Sequence, residues 1–308
     1  MVKKRMLILG DAHMELTLTM DQMPKAGETV ISDGRYGFNG GGQGIISAIS
    51  ASAMGIDPIL CATVGNDVYG NRLKALLEKN GISTRGIITH KKHPTALKVN
   101  LSNEMSAPRS IIYPSVAPGS GDIEEAFVSY PDGLMLCADA DPRAMEKASA
   151  FAKSDGVDIF LQVPFADPEV DLHTLGRVKA AIFGEEEIYN YLSCRPDNLN
   201  DYVQCSIKLS SVISADYFIF NLGTRGVYAT DGKYSELVAP FPAQIVDLRA
   251  AKECFFATLC SSYSQTKDMK TAALRACAAQ ALCSARQGGI SSLPDLYTLE
   301  EYLERNQI

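Results

Sequence analysis

Long basic runs and long apolar runs are both missing from this sequence of 308 residues. No run of Lys and Arg exceeds the three residues at positions 3–5, and the formal net charge is −7. Nucleic acid and anionic membrane are therefore poor partners. No stretch approaches the roughly 18 apolar residues of a membrane span. The apolar run after the basic start, residues 6–9, is too short for a signal peptide, and we expect a cytoplasmic protein.

Metal-binding cysteine pairs are also missing. The eight cysteines form no Cys-x-x-Cys pair, and two of their pairs lie six residues apart in Ala-rich segments of helical pattern. This arrangement disfavours disulfides and zinc and predicts reduced, buried thiols. The four histidines are scattered and support no Ser-His-Asp grouping: His13, His90, His93 and His173.

Short apolar runs alternate with amphipathic stretches along most of the chain. The stretch 70–80 has leucines on one face and predicts a helix that ends at Gly81. The alternation predicts an α/β fold with a mainly parallel central sheet and helices on both faces. Residues 226–237 predict an antiparallel hairpin that turns at Asp231-Gly232. The predicted buried strands are Met6–Leu9, Ile59–Val64, Leu134–Cys137, Ile159–Val163, Ala180–Phe183 and Tyr217–Leu222.

Two segments, about 12–38 and 86–113, interrupt this alternation with exposed β patterns of period two. We expect them to pair into a small β-sheet lid over the strand ends of one domain spanning 1–308. The exposed edges of such a lid allow a homodimer through it.

Two glycine-rich stretches are candidate ligand loops. Residues 39–55 place three consecutive glycines before a helix, and residues 221–230 end a strand with Gly223 and Gly226. Glycine lets a ligand approach the backbone closely, but a tight turn explains each stretch at least as simply.

Acidic and basic residues meet near two predicted helix starts. In "FGEEEIYNYL" three glutamates follow a strand, where Glu187 suits either a metal ion or, more commonly, the positive end of a helix dipole. In "DLRAAKECFF" the apolar approach at residues 243–246 predicts a short strand that turns into a helix, with Lys252 directly before Glu253.

Taken in order, these stretches resemble the ribokinase-like, or PfkB, family of carbohydrate kinases nearly end to end. The resemblance is carried by "GDAHMELTLTMDQMPKAGETV", "GGGQGIISAISASAMG", "ATVGNDVYGNRLKALLEKNGI", "LGTRGVYATDG", "VDLRAAKECFFATL" and "ARQGGISSLP". It implies a three-layer sandwich with a β lid over the sugar. It also implies transfer of the ATP γ-phosphoryl group to a sugar hydroxyl with ATP and Mg²⁺, and in some relatives a monovalent cation such as K⁺.

The catalytic signature matches only in part. The resemblance makes Glu253 the counterpart of the catalytic Asp and Lys252 that of a Gly, with Ala250 and Ala251 in the anion hole. Glutamate moves the carboxylate by roughly 1 Å, and such a displacement can cost about 10²-fold in rate. Lys252 could block the approach of the phosphoryl group or supply positive charge to it. It could also pair with Glu253 or point to solvent.

The remaining positions divide into three groups. The resemblance assigns metal binding to Glu187 and Asp247, although Gly184 replaces an Asn of the metal motif. It assigns nucleotide binding to Asn221, Gly223, Arg225, Gly226 and Gly288. It assigns the sugar to Glu15, Gly41, Gly42, Gln43 and Ile46, where Gln43 replaces a Lys and Ile46 an Asn, and where His13 also replaces an Asn.

Two hypotheses follow. One is an ATP-dependent carbohydrate kinase with an altered sugar pocket and a glutamate base, for which ribose and fructose are not the expected substrates. The other is a catalytically weak or inactive pseudokinase that binds nucleotide and sugar or regulates another protein. Because both the catalytic and the sugar positions depart from the pattern, weak turnover is favoured within the sugar kinase family.

Overall fold

The computed structural model describes residues 3–103, 106–164 and 171–306. Its strands are β1 Arg5–Leu9, β2 His13–Thr19, β3 Tyr36–Gly41, β4 Asp57–Gly65, β5 Ile87–His90, β6 Ala96–Asn103, β7 Ser106–Tyr113, β8 Gly133–Leu136, β9 Asp158–Gln162, β10 Val178–Gly184, β11 Ala215–Asn221, β12 Val227–Thr230 and β13 Ser235–Val238. Its α-helices are α1 Gln43–Ala53, α2 Val68–Lys79, α3 Ser120–Phe127, α4 Pro142–Ser154, α5 Glu185–Leu192, α6 Leu199–Leu209, α7 Ala251–Thr266, α8 Met269–Ser284 and α9 Leu296–Arg305.

The central sheet has nine strands in the order β13-β12-β11-β10-β9-β8-β1-β4-β5. The strands from β11 to β5 run parallel, and only the terminal hairpin of β12 and β13 is antiparallel. The six apolar runs predicted as buried strands all belong to it. Because both faces of a parallel sheet must be covered, these strands read as unbroken apolar runs.

Helices cover the sheet on both faces and give the molecule two apolar cores. One core packs α1, α7 and α8 against one face, with Phe255 and Phe256 fully buried. The other packs α4 and α6 against the opposite face, with Phe183 and Phe220 fully buried. The three layers of the predicted sandwich are therefore present. Among the described residues, no helix is both long and apolar enough to cross a bilayer.

A second sheet of four strands, ordered β3-β2-β6-β7, forms the lid. The stretch from Gly65 to Gly70, where β4 leads into α2, ties it to the central sheet. The Asp67 carboxylate accepts hydrogen bonds from the Gly70 N–H at 2.8 Å and from the Thr95 N–H and Oγ1 at 2.8 and 2.7 Å. Asp67 therefore caps α2 and holds the residue that leads into β6.

Three sequence predictions need correction or limits. Residues 86–90 do not join the lid, because β5 pairs in parallel with β4 at the edge of the central sheet. Residues 243–246 form no strand, and the Val246 N–H instead donates to the Ser284 carbonyl at 2.8 Å. Positions 104 and 105 of the predicted lid lie outside the described residues.

Candidate active site

Four helices begin at a residue that provides no side-chain cap. They are α1 after Gly42, α3 after Gly119, α5 after Gly184 and α7 after Ala250. By contrast, α2, α4, α6, α8 and α9 each begin at an Asp or Asn whose side chain accepts a helix N–H. A helix start without a side-chain cap can offer backbone N–H groups to an anionic or hydroxyl-rich ligand. In α1 the Gln43 N–H donates to Asp139, and in α7 the Ala251 N–H donates to the Leu248 carbonyl, so only part of each start is open. The starts of α1, α5 and α7 mark the candidate site.

The glycine-rich turn before α1 serves close packing at this edge. Gly42 has a φ of +100°, and a Cβ there would lie 2.3 Å from the Asp11 carbonyl oxygen. A Cβ on Gly10 would lie 2.8 Å from the Gly44 Cα. Only glycine fits such contacts, so the turn is tight and also brings the start of α1 against the end of β1.

Asp139, which follows β8, connects the segment after β1 with the start of α1. Its carboxylate accepts hydrogen bonds from the Asp11 N–H at 3.0 Å and the Gln43 N–H at 2.8 Å, and its own N–H donates to Gln43 Oε1 at 3.0 Å. Although the residue as a whole reaches solvent, burial of the carboxyl raises the pKa of Asp139 to about 6, and the charge of Asp11 adds to the effect. Sequence reasoning missed Asp139, because its partners lie more than 90 positions away.

Glu253 lies in the first turn of α7 and is only 7% exposed. The pKa of Glu253 is raised to about 7, and burial is the largest cause. The charge of Asp139 acts in the same direction, whereas the charges of Lys252 and Lys98 act against it. Since Asp139 also holds the first residue of α1, the starts of α1 and α7 share one cleft.

Lid residues line the other side of this cleft. Glu15 on β2 accepts a hydrogen bond from Asn100, and its Oε1 lies 3.7 Å from the Lys98 Nζ. A Cβ on Gly41 would lie 3.2 Å from both Glu15 Oε2 and His13 Nε2, so Gly41 packs beneath both side chains. His13 Nδ1 lies 2.8 Å from Asp11 Oδ2.

The structure gives two predicted sugar residues other contacts. The Gln43 side chain bonds the Asp139 backbone rather than standing free. Ile46 is half-buried and packs against the core that contains α1 and α7. Neither replaces the hydrogen bond that a Lys or Asn would give, whereas Gly41, next to Gly42, lies against Glu15.

A cavity of about 730 Å³ extends from the start of α7 along the carboxyl ends of β9, β10 and β11. Ala251, Lys252 and Glu187 line one end, where backbone N–H groups of α5 and α7 are uncapped. Apolar and small residues line the remainder: Leu222, Pro240, Phe241, Pro242, Ala243, Ile245 and Ala281. One end thus suits a charged group and the other a flat, weakly polar one.

The predicted nucleotide loop is only partly at this cavity. Asn221 and Gly223 line it, and the Asn221 Oδ1 accepts the Gly223 N–H at 3.1 Å. Gly226 serves the hairpin, since a Cβ there would lie 2.1 Å from the Val238 carbonyl oxygen. Arg225 does not line the cavity, because its guanidinium donates to Glu185 and to the Tyr202 hydroxyl.

Gly288 is also placed differently from its prediction. It has a φ of +128° and does not line the cavity, and its N–H donates to Asp247 Oδ2 at 3.0 Å. It therefore acts by holding the segment before α7 rather than by contacting the cavity.

Each glutamate of the "FGEEE" turn is paired with a basic side chain. Glu185 pairs with Arg225, Glu186 with Arg195 at 3.1 Å and Glu187 with Lys252 at 3.3 Å. Lys252 thus pairs with Glu187, not with the adjacent Glu253 as one sequence alternative had it. The turn is a set of ion pairs at a helix start.

A magnesium ion does not fit the two carboxylates that the resemblance assigned to it. Glu187 Oε1 faces the Lys252 ammonium, and Glu187 Oε2 is buried with no hydrogen-bond partner. Asp247 accepts hydrogen bonds from Arg249 N, Nε and Nη2 and from Gly288 N. Mg²⁺ requires open oxygen ligands in octahedral geometry. Within the described residues, no group of three or more His, Cys, Asp or Glu could hold a metal ion.

The Arg249 guanidinium pairs with Asp247, with Nη2 and Oδ2 2.6 Å apart. It holds the pKa of Asp247 well below its usual range, with the Gly288 N–H as a further cause. The charge of Asp247 is therefore already balanced by a side chain.

The fold and this edge site define a three-layer, ribokinase-like α/β protein with a lid. A family model described as the pfkB family carbohydrate kinases matches residues 3–296. The chain therefore belongs to the pfkB family of carbohydrate kinases.

Curated relatives and solved structures agree with this assignment. The chain is 23% identical to a ribokinase of Haemophilus influenzae, covering 98% of this chain and 99% of that one. It is 21% identical to a deoxyribokinase of Salmonella typhi over 97% of this chain and 99% of that one. The structure of an Arabidopsis thaliana ribokinase complexed with ribose and ATP superposes with a TM-score of 0.90 at 20% identity, covering 99% of both chains.

Proposed function

We propose that this protein is an ATP-dependent kinase that phosphorylates a hydroxyl of a sugar or sugar-like molecule, with Glu253 as the general base. The single observation that carries this proposal is the position of Glu253. Its neighbours Ala251 and Lys252 line the cavity, and the charge of Lys98 from the lid reaches it. A base with a pKa of about 7 suits proton transfer near neutral pH.

The cavity is the proposed nucleotide site. Its volume of about 730 Å³ falls within the range of small-molecule sites. The apolar end between Phe241 and Ala281 would take the base, and the end at Ala251 and Lys252 would take the polyphosphate. Relatives described as ribokinases, one of them complexed with ATP, support this reading.

The cleft between the lid and α1 is the proposed sugar site. Glu15 and His13 offer polar groups there, above Gly41. Ile46 offers no hydrogen bond where the resemblance expects an Asn. A buried hydroxyl left without a partner costs about 1–3 kcal/mol. The preferred acceptor is therefore a polyol with no hydroxyl at the position that faces Ile46. In this respect the pocket differs from one built for ribose.

The proposed reaction is a single displacement. Glu253 accepts the proton of the acceptor hydroxyl, and the oxygen bonds to the γ-phosphorus while the bond to the leaving β-phosphate oxygen breaks. The positive end of α7, near Ala250 and Ala251, stabilises the charge on the transferring group, although the Ala251 N–H itself donates to the Leu248 carbonyl at 3.2 Å. Mg²⁺, when it accompanies ATP, would offset phosphate charge, and no step here depends on a protein ligand for it.

The test is an ADP-release assay with ATP and a panel of pentoses, deoxypentoses, hexoses and amino-acid-linked sugars. We expect sugar-dependent release at about 1–100 s⁻¹ with at least one acceptor. The second candidate, a binding protein without turnover, is favoured by Lys252 at a position where a small residue would leave the helix start open. That candidate is supported if ATP and a sugar each raise the melting temperature while no acceptor releases ADP.

A further inference from the structure

Lys252 and Glu187 occupy a space that exists because residue 184 is glycine. A Cβ on Gly184 would lie 2.4 Å from Glu187 Oε2 and 3.6 Å from the Lys252 Nζ. A larger side chain at position 184 would push Glu187 Oε2 aside, whereas the Lys252 Nζ would lie at an ordinary contact distance. The glycine and the lysine therefore belong together, although 68 positions separate them in the sequence.

The ion pair engages one of the two oxygens of Glu187. That oxygen lies 3.3 Å from the ammonium, and the other is buried with no hydrogen-bond partner among the described residues. A divalent ion would have to displace Lys252 before it reached this carboxylate. Since Asp247 is likewise held by Arg249, neither carboxylate assigned to a metal by resemblance is open to one.

Lys252 is also the only cationic side chain among the described residues that line the cavity. Three acidic residues line it as well, and Arg225 and Arg195, which neutralise two of them, lie outside it. A polyphosphate that enters must therefore find its positive partner in Lys252 and in the uncapped N–H groups at the start of α5. The Lys252 side chain is 58% exposed, so its ammonium can reach a phosphate while its stem stays in place.

We propose that Lys252 is the resident cation of the nucleotide site and that the cavity binds a nucleoside triphosphate without a metal ion held by the protein. The ammonium bridges Glu187 and the polyphosphate, which is the place a protein-held divalent ion would otherwise take. This inference rests on the proposed function, because it assigns the cavity to a nucleotide.

The test is isothermal titration calorimetry of the full-length protein with ATP, in EDTA and in excess Mg²⁺, with no sugar present. For the wild type we expect the affinity in EDTA to stay within about tenfold of that in Mg²⁺. Lys252→Met should weaken binding in EDTA by about 10- to 100-fold, because a charge-assisted contact to phosphate is lost. Lys252→Arg should retain most of the metal-free binding.

Two further variants complete the design. Lys147→Met removes an exposed lysine of α4, which packs on the other face of the sheet and makes no ion pair among the described residues, and it should leave both affinities unchanged. The double variant Gly184→Asn with Lys252→Gly removes the ammonium and refills its space with an amide, and it should bind ATP appreciably only with Mg²⁺.

The outcomes separate the two proposals. If the wild type binds ATP in Mg²⁺ but loses it in EDTA, or if Lys252→Met matches the wild type in EDTA, the resident-cation proposal is overturned and the kinase proposal stands. If the wild type binds ATP in neither buffer, both proposals fail.

Discussion

The carboxylates on the two sides of the α7 start have opposite surroundings. On the nucleotide side, Glu187 pairs with Lys252 and Asp247 with Arg249. On the proposed sugar side, Glu253 is buried and the charge of Asp139 acts on it, and desolvation raises the pKa of the Asp139 carboxyl to about 6 and that of Glu253 to about 7. The nearest opposing charges, Lys98 and Lys252, offset only part of this effect on Glu253.

This difference matches the two ligands of the proposed reaction. A triphosphate is a polyanion, so the side that receives it must first neutralise its own acids. An uncharged polyol tolerates acids and also needs one of them to take a proton. In the proposed reaction, one short segment, Lys252-Glu253, would supply the cation to one side and the base to the other.

The largest effect is expected for removal of the base. Glu253→Gln keeps the size of the side chain but cannot accept a proton, so turnover should fall by about 10²–10⁴-fold in the ADP-release assay. Glu146→Gln, at an exposed position on α4, is the control and should retain wild-type turnover. A Glu253→Gln rate within a few-fold of the wild type would place the base elsewhere.

The second effect concerns stability against pH. The pKa of Glu253 rises from 4.5 to about 7 on folding. The folded state therefore favours the protonated acid, and this stabilisation is present below about pH 4.5 and is lost as pH rises through 7. Relative to Glu253→Gln, the wild type should lose about 3 kcal/mol of unfolding free energy between pH 5 and pH 8.

Urea unfolding at several pH values measures this difference directly. A gap between the two proteins that stays constant from pH 5 to pH 8 would show that Glu253 is not held as an acid. Because Asp139 is present in both proteins, its own titration cancels to first order.

The smallest effect is expected on the nucleotide side. Arg249→Ala leaves Asp247, whose side chain is 8% exposed, without its guanidinium partner. Because Arg249 itself is 54% exposed and screened by solvent, we expect a loss of about 1 kcal/mol in unfolding free energy. Arg305→Ala, which breaks an exposed pair with Glu301, should cost about 0.3–0.5 kcal/mol.

Potassium ions sharpen this test. K⁺, compared with a bulky organic cation at equal ionic strength, should leave the wild-type melting temperature unchanged, because Arg249 already balances Asp247. It should raise that of Arg249→Ala. If K⁺ stabilised the wild-type protein, this result would contradict the view that Arg249 already balances the charge of Asp247.

Much of the fold could be predicted from the sequence because buried parallel strands leave a plain signal. Met6–Leu9 and Ile59–Val64 are unbroken apolar runs, and both became neighbouring strands of the sheet. The period-two pattern at 86–90 led to an assignment to the wrong sheet. Alternation shows that one face of a strand is exposed, but it does not determine which strand is the hydrogen-bonding partner.

The candidate site could be predicted less completely, because its contacts join distant positions. The glycines at 41 and 42 and the segment 250–253 were found as stretches, but Asp139 and the pairing of Lys252 with Glu187 depend on tertiary structure. Arg225 was assigned to the nucleotide because its loop was recognised, whereas its side chain turns to Glu185. The missing helix caps at Gly42, Gly184 and Ala250 were a usable signal in the sequence.

The most direct measurement of the central claim is the pH dependence of kcat/KM for the wild type with its best acceptor. If Glu253 is the base, kcat/KM should rise with pH through an apparent pKa of about 7 and then level off. A profile that is already flat between pH 5.5 and pH 8 would show that the buried carboxylate beside Lys252 does not take the proton.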